Sequence, residues 1–211
     1  MRISLMSIAL AGGLLTATGL PAQSQHSYSA NHGPTGLIVG ANFTGSFVTV
    51  GDAAVDEHGF GGRGRESGAG MHFTLGYGFT PTIAVLLHGG GVMLNEDEER
   101  VIGGVDLALR YSFAAPARTV VPYLEMAFGG GALEDSVDGG GFESTGGSLS
   151  GAAGVNIFVT RRFAFNADLR YNLGTLTSIS RAGQSTSHDA EVGFSASRMN
   201  VGFNWYPMAD R

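Results

Sequence analysis

Hydrophobic and polar residues alternate with a period of two over most of the chain beyond residue 35. That period puts successive side chains on opposite faces of an extended strand. In FAFNADLRYNL, Phe163, Phe165, Ala167, Leu169, Tyr171 and Leu173 share one face, and Ala164, Asn166, Asp168, Arg170 and Asn172 the other. VIGGVDLALRYSF sets Val101, Val105, Leu107, Leu109, Tyr111 and Phe113 against Gly104, Asp106, Ala108, Arg110 and Ser112. MHFTLGYGF and SLSGAAGVNIFV alternate in the same way, with Met71, Phe73 and Leu75, and Leu149, Val155 and Ile157, on their apolar faces. Four less regular segments, about 36–49, 82–94, 120–133 and 190–206, bring the set to eight predicted strands. The last changes phase between Ala196 and Met199, which predicts a β-bulge.

Length and connection pattern then select an architecture. Most of these strands run about 10 to 13 residues, whereas soluble strands average about 5–6. A tilted strand needs about 9–11 residues to cross the hydrocarbon of a bilayer. Short links at Thr80-Pro81, at AAPART (114–119) and at Thr160-Arg161-Arg162 alternate with long polar ones near 51–67, 95–100, 134–147 and 175–189. Outer-membrane barrels have that asymmetry, with tight periplasmic turns and longer external loops. The predicted fold is all-β: an eight-stranded, antiparallel, up-and-down transmembrane β-barrel over residues 36–211. Phe79, Phe113, Tyr123, Phe158, Phe163, Phe165, Phe203, Trp205 and Tyr206 all sit beside the short links. Their placement predicts an aromatic girdle at the periplasmic interface.

Composition sharpens the choice between lipid and water. Only 14% of residues are charged and 43% are hydrophobic, with 35 glycines. Past the N-terminus no apolar run reaches the 18 or so residues of a helical span. The polar strand faces are rich in Gly, Ala and Ser and carry few charges, as a narrow lumen requires. The apolar faces are therefore expected to look outward. The chain has no cysteine, which excludes disulfides and thiolate metal sites. A formal charge of −6 argues against a nucleic-acid partner. MRISLMSIALAGGLLTATGLPAQ has Arg2, an apolar core and a small-residue end at Ala22, the pattern of a secretory signal peptide. Residues 1–22 are assigned to that signal and 23–35 to a polar, disordered lead-in.

The C-terminal MNVGFNWY, with Gly202, Phe203, Trp205 and Tyr206, is similar to the final strand that the outer-membrane assembly machinery recognises. With the strand pattern, it makes residues 36–211 resemble the OmpA/OmpX-like family of small outer-membrane barrels. The chain departs from that family at Pro207 to Arg211, where many members stop on Phe. The resemblance implies a Gram-negative outer-membrane location, contact with outer-membrane lipid and lipopolysaccharide, insertion by the assembly machinery, and a monomer.

Candidate chemistry is sparse. Asp106, Arg110, Glu125, Asp168, Arg170, Glu191 and Arg198 project inward by parity. Buried charges are costly unless paired, so a lumenal ion-pair network is expected, with an ion path as the alternative. An eight-stranded interior is only wide enough to be filled by side chains, which favours packing over a pore. His72 and His88 also face inward and read as hydrogen-bonding residues, since two imidazoles without a placed carboxylate make a weak metal site. Ser185, Ser187, His188, Asp189 and Glu191 hold the residue types of a hydrolase. The His-x-Ser-Asn spacing of barrels resembling lipid A deacylases is absent. Acidic clusters at 95–100 and 134–143 match no calcium loop. Glycine runs at Gly89–Gly91, Gly129–Gly131 and Gly139–Gly141 precede no helix, so they predict bends or close strand contacts. No catalytic residue, metal or cofactor is predicted. The expected function is a non-enzymatic barrel serving envelope integrity or surface interaction. The alternatives are a narrow channel or conduit for small hydrophobic molecules, as in barrels resembling OmpW, a lipid-modifying enzyme, and a soluble lipocalin-like binder.

Overall fold

The computed structural model describes residues 35–50, 65–95, 99–113, 119–135, 142–181 and 188–208. The predicted signal peptide and the acidic loop at 96–98 lie outside them. Eight strands follow in order: β1 Gly36–Val50, β2 Arg65–Gly78, β3 Ile83–Asn95, β4 Glu99–Ser112, β5 Val120–Asp135, β6 Phe142–Phe158, β7 Phe163–Arg181 and β8 His188–Trp205. Each pairs antiparallel with the next, and β1 closes on β8, so the sheet has no free edge. Closure satisfies the backbone polar groups within the sheet, the condition for a β-structure to cross lipid.

Two tight turns at the closed end use one device. Thr80 Oγ1 accepts from the amides of Thr82 and Ile83 at 3.2 and 3.0 Å, and Phe79 N donates to Ile83 O at 3.0 Å. Thr160 Oγ1 accepts from Arg162 N at 3.2 Å, and Val159 N donates to Phe163 O at 3.0 Å. In both, a threonine hydroxyl takes up turn amides that the ladder leaves unpaired.

The two faces are inverted relative to a soluble barrel. Leu107, Leu109, Phe73, Phe128 and Leu149 are exposed, and Leu169 is 67% exposed. Asn42, Asn166, Asp168, Arg170, Asn172 and Asn200 are buried. So broad an apolar exterior belongs in hydrocarbon. Inside, Ile38, Leu86, Val121, Phe158 and Tyr206 belong to an apolar cluster near the tight turns. Val48, Val92, Leu94 and Ala196 form another toward the long connections. Polar side chains lie between.

Three expectations are corrected. Of the aromatics expected in the girdle, Phe79, Phe113 and Trp205 are exposed, and Phe163 stacks on Phe203 with centroids 5.5 Å apart. Tyr123, Phe158 and Tyr206 are buried instead. They share the inward parity of Glu125, Asn156 and Asn204, so nearness to a strand end does not make them lipid-facing. Phe158 and Tyr206 pack ring to ring at 5.4 Å and help to close that end of the lumen. The bulge expected between Ala196 and Met199 is also absent, because β7 and β8 pair without a break from Phe163↔Trp205 to Leu176↔Val192. Register slips instead between Leu176 and Ser178, and between Thr145 and Gly146. Finally, β6 and β7 extend into residues expected to be loop, starting at Phe142 and ending at Arg181.

Glycine makes close approach possible inside the wall. A Cβ on Gly154 would stand 2.5 Å from the Tyr123 ring and 2.6 Å from the Asp168 Cβ. Gly154→Val is expected to destabilise the barrel by about 1–3 kcal/mol through overpacking. A lower urea midpoint, followed by the fluorescence of the single tryptophan, Trp205, checks this.

Candidate functional site

The polar layer is organised around Glu125 on β5, whose side chain has no exposure. Arg110 on β4 donates from Nε to Glu125 Oε2 at 2.8 Å. His88 on β3 donates from Nε2 to Oε1 at 2.9 Å, and Arg170 on β7 donates from Nη2 to the same oxygen. Arg170 also reaches Ser150 Oγ at 3.3 Å, and the Arg110 guanidinium lies 4.0 Å over the Tyr123 ring. β3 and β7 are four strands apart in a ring of eight, so they are opposite walls. The bridge His88–Glu125–Arg170 therefore cuts straight across the bore. One carboxylate between two guanidiniums offsets part of the cost of removing all three from water, although Arg110 Nη1 is buried without a partner.

A second chain runs beside it. Tyr123 donates its hydroxyl to Asp168 Oδ2 at 3.0 Å, and Asn200 Nδ2 donates to Asp168 Oδ1 at 2.6 Å. Thr44 Oγ1 donates to Asn200 Oδ1 at 2.8 Å and lies 2.9 Å from His72 Nδ1. A hydroxyl has one hydrogen, so His72 Nδ1 must be the donor to Thr44. The Glu125 carboxylate can only accept, so His88 Nε2 carries a proton, and His88 Nδ1 lies 2.9 Å from Thr74 Oγ1. His88 has both nitrogens engaged and cannot share a metal with His72. Nearby, Asn166 Nδ2 donates to Asn42 Oδ1 at 2.7 Å and Asn204 Nδ2 to Asn156 Oδ1 at 3.0 Å. Among the described residues no group of three His, Cys, Asp or Glu is placed to hold a metal.

Of the expected charge network, Arg110, Glu125 and Arg170 meet directly, and Asp168 joins through Tyr123. Asp106 does not reach Glu125. It borders a cavity nearer the long connections, its Oδ1 lying where a Cβ on Gly129 would stand. Arg198 borders the same cavity, and its Nε has no hydrogen-bond partner. The side chains of Ser185, Ser187, His188, Asp189 and Glu191 lie outside the described residues. Sequence reasoning missed Tyr123 as a network member and His88 as a ligand of Glu125. Parity was the available signal, since Tyr123 is two residues before Glu125 on one strand.

A closed antiparallel barrel with a lipid-compatible exterior and a polar, ion-paired interior is an integral outer-membrane barrel. The chain belongs to the outer membrane protein beta-barrel domain family, whose model it matches over residues 11–206. That membership implies an outer-membrane location. Among solved structures, Neisserial surface protein A is 15% identical with a TM-score of 0.62, covering 82% of this chain and 97% of that one. The outer membrane protein OprG from Pseudomonas aeruginosa is 14% identical with a TM-score of 0.52, covering 83% of this chain and 98% of that one. At such identities the likeness is one of fold. No curated protein matches the chain in sequence.

Proposed function

We propose that this protein is a non-enzymatic outer-membrane barrel, closed to ions, that contributes to envelope integrity and offers its external loops to surface partners. The observation that carries this reading is the His88–Glu125–Arg170 bridge, whose hydrogen-bonded side chains span opposite walls. An ion crossing the lumen would have to break charge-assisted hydrogen bonds in a poorly solvated space. The apolar cluster with Ile38, Phe158 and Tyr206 adds a second obstruction. Both weigh against the channel alternative. In this reading residues 1–22 direct export, and the assembly machinery inserts the barrel through the Gly202–Tyr206 signal. The monomer then sits among outer-membrane lipid and lipopolysaccharide. Planar-bilayer recording of the purified, refolded barrel is expected to give a silent baseline. Reproducible single-channel steps would overturn the proposal.

A further inference from the structure

The formal charge of −6 conceals two unlike ends. The long connections are acidic, with Asp52, Asp56 and Glu57 in one and Glu96, Asp97 and Glu98 in another. The tight links at 79–82, 113–119 and 159–162 contain no Asp or Glu, and their charged residues are Arg118, Arg161 and Arg162. Asp210 and Arg211 in the C-terminal tail offset each other. Positive charge is thus collected at the tight-turn end, which faces the periplasm in outer-membrane barrels.

Arg161 and Arg162 are adjacent and exposed in the turn between β6 and β7. Their backbone is held in place. Thr160 Oγ1 accepts from Arg162 N at 3.2 Å, and Tyr206 N, just past the end of β8, donates to Arg162 O at 2.8 Å. On the hydrocarbon side of the turn, Phe163 stacks on Phe203 and packs edge to face on Phe165 with centroids 5.4 Å apart. Trp205 is opposite Phe163 on the ladder and half exposed. Rings placed in this way settle at the membrane–water interface. One or two residues further along the chain, at about 3.3 Å each, the two guanidiniums stand at the depth of the lipid phosphates.

A guanidinium presents a planar fork that takes two phosphate oxygens at once, and it stays charged at physiological pH. Both arginines also have contacts within the protein, but the five N–H donors of each leave capacity for a phosphate. Because the turn is already pinned, little backbone freedom is lost when a headgroup docks. A zwitterionic headgroup balances its phosphate with its own ammonium. An anionic phospholipid leaves that charge to be met by the protein.

We propose that the β6–β7 turn binds the phosphate of an anionic phospholipid of the periplasmic leaflet through Arg161 and Arg162, with Phe163 and Trp205 against the upper part of its acyl chains. This goes beyond the closed-barrel reading: it concerns the outer wall, and lipid selection is measured separately from conductance.

Trp205, the single tryptophan, stands beside the site and reports on it. The refolded barrel is placed in vesicles of phosphatidylcholine and phosphatidylglycerol, with bromine on the acyl chains of one lipid or the other. Quenching of Trp205 then reads which lipid is its neighbour. Phosphatidylglycerol is expected to be preferred about fivefold or more at low salt, the scale of one arginine at an anionic surface. The double variant Arg161→Gln, Arg162→Gln should lose most of that preference, while Arg118→Gln, in the link between β4 and β5, should keep it. Raising the salt from about 10 mM to about 1 M shortens the Debye length from about 30 to about 3 Å and should also remove most of the preference. The salt series needs no variant, so it decides if the double variant does not fold on a heat-modifiability gel. No preference at low salt, a preference unmoved by salt, a preference kept in the folded double variant, or an equal loss with Arg118→Gln would overturn the proposal.

Discussion

Replacing Glu125 with glutamine is expected to lower the unfolding free energy of the barrel by about 3–5 kcal/mol. The substitution keeps the shape of the side chain but removes a charge that Arg110 and Arg170 both touch. Two guanidiniums then remain among buried groups without a counter-ion, and His88 Nε2 loses its charged acceptor. The cost arises from what is left behind more than from the bond removed. The triple change of Glu125, Arg110 and Arg170 to leucine or methionine should therefore cost much less than the single change, because no orphaned charge remains. Urea unfolding followed by Trp205 fluorescence, with a heat-modifiability gel as a second readout, measures both. A single-variant loss below about 1 kcal/mol would mean that water solvates the layer, since exposed pairs contribute about that little. The closed-lumen reading would then lose its main support.

The sequence carried the fold because lipid imposes a rule on every second residue. Leu169 and Arg170 are adjacent, and period two alone sends one outward and the other inward. The rule loses force where the chain leaves hydrocarbon. Residues 142–147 and 174–181 are mostly Gly, Ser and Thr, with little alternation to read, yet they pair in β6 and β7 because neighbouring strands supply the ladder. The misplaced bulge has a similar origin. Phe194 turns inward, where its ring lies over Gly174, and Ser195 and Ser197 take the other parity, so hydrophobicity changes phase while the backbone does not.

The site was legible in membership and illegible in pairing. Parity brought Arg110, Glu125, Asp168 and Arg170 inward, and the cost of buried charge implied that they meet. Which of them meet depends on how the strands tilt and stagger around the barrel. Residue 88 reaches 125, and 125 reaches 170, across the bore and not along a ladder. Nothing in local composition encodes that shear. The same gap explains Asp106, which has the right face but sits at the wrong height. Tyr123 was lost for another reason. An aromatic ring near a strand end suits the interface and a lumenal hydroxyl donor equally, and only its parity separates the two.

An arginine placed at position 169 should destabilise the barrel by about 2–4 kcal/mol, the cost of a cation on the lipid face near the bilayer midplane. Leu169 is 67% exposed and lies near the middle of the apolar run from Phe163 to Leu173, opposite Met199 on β8. On a soluble protein such an exposed leucine would accept arginine with a change of about half a kcal/mol or less. The neighbouring residue already is an arginine, fully accommodated because it points at Glu125. The same substitution at Thr177, exposed near the far end of β7, should cost only about 0–1 kcal/mol, because the penalty falls toward the interface. Equilibrium unfolding of the two variants in phospholipid vesicles gives the comparison. A steep difference between 169 and 177 is what a hydrocarbon slab around the barrel requires. Equal, small effects would mean that the exposed leucines face water, and the outward orientation of the apolar side chains would need another cause.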